Sequence, residues 1–241
     1  MPDFFDLATV QSALYILRGT GYTIILIVGA MICGLIIGLP LAAIEVFGPR
    51  WAKALAAIYV WFFRGIPILV LLFLFYFGVF GWLESILAKI LGHPVNFPPL
   101  VASVTALGLV SGAYQSQIFR GTILSLHHGQ FLAAKSLGFS TVGVIIHVIL
   151  PQALRLAIPA WSNEYSIILK DSAIAYVLGT VEIMARIGHM VSMTHRHIPF
   201  YLLAGLLYFL LTHLGVTALR AVERRTRIQG LGHEAQVAEK P

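Results

Sequence analysis

The stretch GQFLAAKSLGFSTVGVIIHVILPQALR, residues 129–155, decides how the chain is organised, because it is a helical pattern with a break inside it. Residues 131–137 form a short Ala-rich segment, and Gly138 suits the left-handed conformation that commonly ends a helix. Ser140 has the side chain to cap a second helix over residues 141–150. The stretch therefore predicts two short helices joined by a tight turn.

The composition indicates an integral membrane protein. Of the 241 residues, 59% are hydrophobic and 11% are charged, whereas soluble domains carry roughly 25% charged residues. The apolar residues fall in long blocks, and a membrane-spanning helix needs about 20 of them. The single cysteine, Cys33, excludes a disulfide within the chain. We therefore expect an all-α membrane protein.

Apolar blocks long enough to cross a bilayer occur five times. One of them, residues 148–168, is interrupted by polar residues and by two prolines, and we expect its Pro151 to bend the chain. About five transmembrane helices are therefore predicted. The uninterrupted blocks are 20–46, 55–80, 100–118 and 199–221.

Basic residues predict the orientation of the chain. With the N-terminus outside, ten of the 16 Lys and Arg residues fall in cytoplasmic segments and four in outer segments, as the positive-inside rule requires. We expect an N-terminal outer segment (1–19), a transmembrane domain (20–221) with a cytoplasmic loop at about 129–150, and a cytoplasmic tail (222–241). The net charge of +6 is spread over several loops, so we expect contact with anionic lipid or an acidic partner and not with nucleic acid.

On this topology the loop at 129–150 lies in the cytoplasm. Its small side chains allow another protein to approach closely, which favours a docking surface. An ordinary hairpin at the membrane interface remains the alternative on the residues alone.

Four motifs resemble the permease subunits of ATP-binding-cassette importers for polar amino acids, the family of histidine, glutamine and arginine permeases. Residues 129–155 resemble the cytoplasmic E-A-A loop of these permeases, which has Glu-Ala-Ala, a Gly three to four residues later, and then Leu-Pro. The segments FFRGIPILVLLFLFYFG (62–78), SGAYQSQIFRGTI (111–123) and NEYSIILKDSAIAYVLG (163–179) are similar to further motifs of the family. The chain departs from the pattern at Leu132, where the family has Glu.

The resemblance implies a type I importer permease fold with cytoplasmic coupling helices, in a bacterial-type plasma (inner) membrane. The chain would form the substrate pathway of an ATP-driven amino acid importer and would not itself be an enzyme. It would hold no cofactor, because ATP and Mg would be bound by a partner ATPase. The implied partners are a second permease subunit, either the same or a different chain, two cytoplasmic ATP-binding subunits, an external substrate-binding protein, membrane lipid and the amino acid.

The resemblance also implies where the ATPase docks. Because Leu132 replaces an acidic residue, either apolar packing makes this contact or a second, different permease supplies a better loop. The implied docking residues are Gln130, Leu132, Ala133, Ala134 and Gly138.

Polar residues in the interrupted block are candidates for substrate binding. Asn163, Glu164, Lys170 and Asp171 lie in it or just after it, and a charge at the centre of a membrane helix costs about 2.5–3.5 kcal/mol on insertion scales. In a helix, Asn163 and Lys170 share one stripe, and Glu164 and Asp171 share another about 100° away. Donors beside carboxylates suit an amino acid zwitterion. A subunit-interface network, or charges at the membrane boundary, is the alternative.

Arg64 and Tyr114 are two further candidates. Arg64 precedes Gly65 and Pro67, which are expected to loosen the helix and expose backbone groups. Arg64 either lines a pathway or pairs with an acidic residue to fix the bundle. Tyr114 lies in a patch of small and polar residues, for which helix packing is favoured over ligand contact.

Other functions lack their sequence signatures. The nine histidines form no H-E-x-x-H or Cys/His cluster, so we expect no metal site. We also expect no catalytic residues, because no nucleophile and base converge in the sequence. The rival function is a self-sufficient secondary transporter or channel. Such proteins typically show matching internal halves, and the sequence has no such internal repeat.

Overall fold

The computed structural model describes residues 7–126 and 128–226, with side chains for all of these except residues 7–13 and 128. Its regular structure is helical, and no strand occurs in the described ranges. The elements are α1 (Leu7–Phe47), α2 (Arg50–Gly65), α3 (Ile68–Phe73), a π-helical segment (Leu74–Phe80), α4 (Gly81–Leu91), α5 (Pro99–Ser125), α6 (His128–Ser136), α7 (Thr141–Val144), a second π-helical segment (Ile145–Ile149), α8 (Leu150–Ser172), a 3₁₀ segment (Ala173–Leu178), α9 (Ile183–Thr194) and α10 (His197–Thr226).

The predicted all-α membrane fold is confirmed. In the described part of the chain, four helical segments are long and apolar enough to cross a bilayer: Leu14–Phe47, Ile68–Leu91, Thr141–Leu178 and His197–Thr226. With 27 residues, α5 is about 40 Å long but less apolar. The reason is its central position, where small and polar side chains face α1 and α8 instead of lipid.

The helices α1 and α5 run parallel and touch along much of their length. Gly29 lies against Val104, and Gly34 lies against Gln115. A Cβ at Gly34 would lie 2.5 Å from Gln115 Nε2. Glycine therefore allows the two helices to approach closely, as small residues do between membrane helices.

The helix α8 runs antiparallel to α5. Leu107 packs in one apolar cluster with Ile168, and Phe119 packs in another with Ala157. The last helix, α10, packs beside α8.

The predicted outer segment and tail are only partly covered by the described residues. The helix α1 already begins at Leu7, so the described part of the predicted outer segment is helical. Residues 1–6 and 227–241, which include most of the predicted tail, lie outside the described residues.

The prediction of a single helix over residues 55–80 is wrong. The helix α2 ends at Gly65, and Ile66 is extended with φ −101° and ψ 134°. A residue before proline is disfavoured in the helical conformation, so α3 starts only after Pro67. The loosening expected beside Arg64 is confirmed.

The turn predicted within residues 129–155 is confirmed, and the second helix is longer than the predicted 141–150. Gly138 has φ +89°, and Ser140 Oγ accepts a hydrogen bond from Gly143 N at 3.1 Å. The helix is not interrupted at Pro151, because it continues through the π-helical segment Ile145–Ile149 into α8. Proline has no N–H to donate within the helix, and its ring would crowd the preceding α-helical turn. A π-helical turn is wider and leaves room for the ring.

Candidate functional site

A buried polar cluster joins α1, α5 and α8. Ser111 Oγ donates to Glu164 Oε1 at 3.0 Å, and Gln115 Nε2 donates to Ser111 Oγ and to the Met31 carbonyl, both at 3.0 Å. The Glu164 side chain is only 2% exposed. Ser111 lies near the middle of α5, about 18–21 Å from either end at 1.5 Å per residue, so the cluster lies deep in the membrane domain.

Arg64 and Tyr114 lie beside this cluster. The Arg64 guanidinium carbon is 4.8 Å from the centroid of the Tyr114 ring, which is a cation–π distance. Tyr114 lies three residues after Ser111 on the same helix, and Asp171 lies seven residues after Glu164, along the same face of α8. The structure thus places Arg64 and Tyr114 next to the cluster that contains Glu164, at the break between α2 and α3. Interrupted helices beside charges at membrane depth are typical of substrate sites in transporters.

Asn163 and Lys170 lie on a different face of α8. Both are exposed, whereas Glu164 faces α5 and is buried. Asn163 and Glu164 are therefore turned about 100° apart, and the structure does not place them around one shared cavity. The exposed stripe of α8 consists of Arg155, Pro159, Asn163, Ser166 and Lys170, with Ser166 partly covered.

The predicted docking loop presents an apolar surface. Leu132 is 55% exposed and Leu137 is 79% exposed, and Ala133 and Gly138 are also exposed. Large apolar side chains on a loop indicate a protein contact. We call this set the loop surface; its other exposed members are Phe139, Val142 and Ile146.

Two predicted docking residues face the membrane domain instead. Ala134 is 6% exposed and packs in an apolar cluster with residues of α1, α5 and α8. Gln130 Oε1 accepts a hydrogen bond from Gln152 Nε2 at 2.6 Å. Phe131 stacks on Phe47 with the ring centroids 6.0 Å apart. These residues fix the orientation of α6, so that Leu132 and Ala133 face outward.

Sequence reasoning missed two sets of polar residues. Ser111 and Gln115 belong to a patch for which packing was favoured, although their spacing of four residues places both on one helix face. Arg220 and Glu223 on α10 line a cleft with Asn163, and their spacing of three residues carries the same signal.

A helical membrane domain with a broken helix, charged side chains at depth and an exposed apolar loop defines a component of a membrane transport system. The chain belongs to the family of binding-protein-dependent transport system inner membrane components, whose pattern matches residues 31–228. The resemblance and the type of fold inferred from the sequence are thereby confirmed. The chain is a permease subunit of an ATP-binding-cassette importer and not itself an enzyme.

The chain is similar in sequence to individual permease proteins of amino acid transport systems. The octopine transport system permease protein of Rhizobium meliloti is 36% identical over 213 residues, which are 87% of this chain and 89% of the relative. The histidine/lysine/arginine/ornithine transport system permease protein of Salmonella typhimurium is 30% identical over 211 residues, 88% of this chain and 89% of the relative.

Solved structures show the same fold. A crystal structure of an amino acid ABC transporter with histidines matches with a TM-score of 0.76 and 32% identity, covering 93% of this chain and 99% of that one. The MetNI methionine ABC transporter in an inward-facing conformation matches with a TM-score of 0.71 at 19% identity, covering 93% of this chain and 100% of that one.

Proposed function

We propose that the chain is the permease subunit of an ATP-driven amino acid importer and that α8 lines its substrate pathway. The observation that carries this proposal is the exposed polar stripe of α8. Arg155, Asn163 and Lys170 lie along one side of a membrane helix, where lipid would impose a cost of a few kcal/mol on each charge. The stripe therefore faces a water-filled pathway completed by another subunit.

The relatives support amino acids as the substrate class. Their names include octopine and the basic amino acids histidine, lysine, arginine and ornithine. In this proposal Glu164 accepts the cationic group of the amino acid, either its α-ammonium or a basic side chain. Because Glu164 is buried against Ser111 in this structure, α5 and α8 have to separate there during transport. Arg64, stacked on Tyr114, is available to the carboxylate.

The proposed assembly contains this permease, a second permease of the same or a different chain, two cytoplasmic ATPases and an external binding protein. ATP and Mg belong to the ATPases. The loop surface docks an ATPase through Leu132, Ala133 and Gly138, which are exposed. The N-terminus lies outside and the C-terminus inside a bacterial-type inner membrane, as the distribution of basic residues favours.

Amino acid uptake by a complex that carries Glu164→Gln tests this function. The purified complex is reconstituted in proteoliposomes with binding protein outside and ATP inside, and uptake of labelled amino acids is measured. Gln keeps the volume of Glu but removes its charge, so the loss of a charge-assisted hydrogen bond of about 1.5–3 kcal/mol lowers uptake roughly tenfold or more.

The matched control is Glu84→Gln, because Glu84 lies in the first turn of α4 and accepts a hydrogen bond from Phe97 N at 2.6 Å, away from the cluster. We expect its uptake to equal that of the parent. Normal uptake by Glu164→Gln in an intact complex would assign Glu164 to packing. Absence of amino acid uptake by the parent would refute the proposed substrate class.

A further inference from the structure

A polar cleft lies between α8 and α10, away from the Glu164 cluster. Its volume is about 340 Å³, at the lower end of the range of about 300–1,000 Å³ that is usual for small-ligand sites. Its lining residues are Pro159, Ser162, Asn163, Ser166, Val216, Arg220 and Glu223.

Two opposite charges line this cleft without pairing with each other. Arg220 and Glu223 are one helical turn apart on α10, yet no ion pair within 4.0 Å joins them in the described part of the chain. Ser166 Oγ donates to the Ser162 carbonyl at 3.2 Å, which leaves its lone pairs free to accept. The cleft thus offers a guanidinium, a carboxylate and the Asn163 amide to a ligand.

The cleft opens on the same side as the exposed stripe of α8. Asn163 and Ser166 belong to both, and Lys170 continues the stripe toward the end of α8. Because acyl chains do not solvate such a row of polar groups, this side faces the proposed pathway and not the lipid.

We propose that the cleft binds the transported amino acid as a zwitterion, at a second site on the side of the pathway where α10 ends. This inference rests on the proposed function. The Arg220 guanidinium binds the α-carboxylate, for which its planar donors are suited. Glu223 accepts the α-ammonium, and Asn163 donates to a remaining carboxylate oxygen. Neighbours at i and i+3 on a helix have Cβ atoms about 5–6 Å apart, so both ends of one amino acid are reached from α10.

The position of the cleft follows from the helix directions. The Glu164 cluster lies near the middle of the bundle, whereas Arg220 and Glu223 lie in the last two turns of α10. Since α8 and α10 are adjacent and Asn163 directly precedes Glu164 on α8, the cleft extends from the depth of Glu164 toward the end of α10.

Binding of labelled L-arginine to the whole complex tests this site. The complex is placed in nanodiscs of phosphatidylglycerol without nucleotide or binding protein, and every variant carries Glu164→Gln, so that binding at Glu164 is weakened equally in all of them. We expect Arg220→Gln and Glu223→Gln each to weaken arginine binding at least tenfold, and Arg220→Lys to weaken it less. The control Arg224→Gln removes an exposed charge of α10 that does not line the cleft, and it leaves binding unchanged.

Agmatine, which is arginine without its α-carboxylate, tests the role of Arg220. It binds equally to the complexes with and without Arg220→Gln if Arg220 recognises the carboxylate. Equal arginine binding by the Arg220, Glu223 and Arg224 variants would overturn the cleft site while leaving the proposed function intact, provided that the parent still takes up arginine.

Three other outcomes would also overturn the cleft site. Loss of arginine binding in discs that contain phosphatidylethanolamine would show that a lipid headgroup occupies the cleft. Loss of a subunit from the Arg220→Gln or Glu223→Gln complex would show that the substituted residue holds two subunits together and does not bind a ligand. Failure of the parent to take up any amino acid would refute the proposed function and this site together.

Discussion

Glu182 and its neighbour Ile183 connect three helices, α9 and α10 through the Glu182 carboxylate and α1 through the Ile183 N–H. Its Oε1 accepts from Ala185 N and its Oε2 accepts from Tyr208 Oη, both at 2.7 Å. Next to it, Ile183 N donates to Thr23 Oγ1 at 3.3 Å. Glu182 is fully buried and lies between the membrane-spanning segments, where it ties α9 to α10.

Burial gives Glu182 a pH-dependent effect on stability. Desolvation raises its pKa above the ordinary value of 4.5, although hydrogen bonds from Tyr208 and Ala185 oppose the rise. A carboxyl with a raised pKa in the folded state contributes stability that is present below about 4.5 and is lost as the pH rises through the folded pKa.

We therefore expect the melting temperature of the parent to fall relative to that of Glu182→Gln as the pH rises from 4 to 7. Thermal unfolding of both proteins in detergent measures this difference. A difference in melting temperature that is independent of pH would contradict the expected role of the charge.

At the residue scale, sequence reasoning found the polar side chains but not their partners. Glu164 was predicted to be functional because a charge in an apolar block is costly. Its bond to Ser111 could not be predicted, because 53 residues separate the two and only the packing of α5 on α8 brings them together. The same packing buries Glu164 against α5 and leaves its neighbour Asn163 exposed.

At the element scale, the loop at 129–155 was predictable where local chemistry decides. Gly138 takes a left-handed conformation, and Ser140 caps the helix after it. The effect of Pro151 was not predictable in this way, since the π-helical segment Ile145–Ile149 has no sequence pattern of its own that distinguishes it from an α-helix.

A negative charge introduced on the loop surface is expected to uncouple ATP hydrolysis from uptake. Ala133→Asp or Gly138→Asp places a carboxylate where the proposed ATPase contact would have to desolvate it. Substrate-stimulated ATPase activity and uptake are measured in the same vesicles, and both are expected to fall while the permease remains in the membrane.

Ala133→Asn and Gly138→Asn are the matched controls, because they have nearly the same size without the charge, and Asn tolerates the positive φ at position 138. Both are expected to stay close to the parent, and Leu132→Glu is expected to be tolerated. Normal coupling in both Asp variants would refute docking at this surface.

At the scale of the whole molecule, the predicted orientation has a direct test. In a Cys33→Ser background, a cysteine at His93 is expected to react with an impermeant thiol reagent in intact cells, and one at Gln236 is expected to be protected. His93 is exposed in the loop before α5, and it avoids the left-handed backbone of Gly92. The reverse labelling pattern would place the loop surface outside and exclude its contact with a cytoplasmic ATPase.

The glycine-lined contact between α1 and α5 also sets an order of events during synthesis. Met31 and Gln115 bond to each other across 84 residues of chain. At roughly 5–20 residues per second, the ribosome delivers α5 about 4–17 s after α1. In that interval α1 is held in the bilayer by its own apolarity, because its most apolar 18-residue stretch has a mean hydropathy of 2.8, while its glycine face has no α5 to pack against. The most extensive helix–helix contact in the described part of the chain therefore forms between a helix that is already inserted and one that is synthesised later.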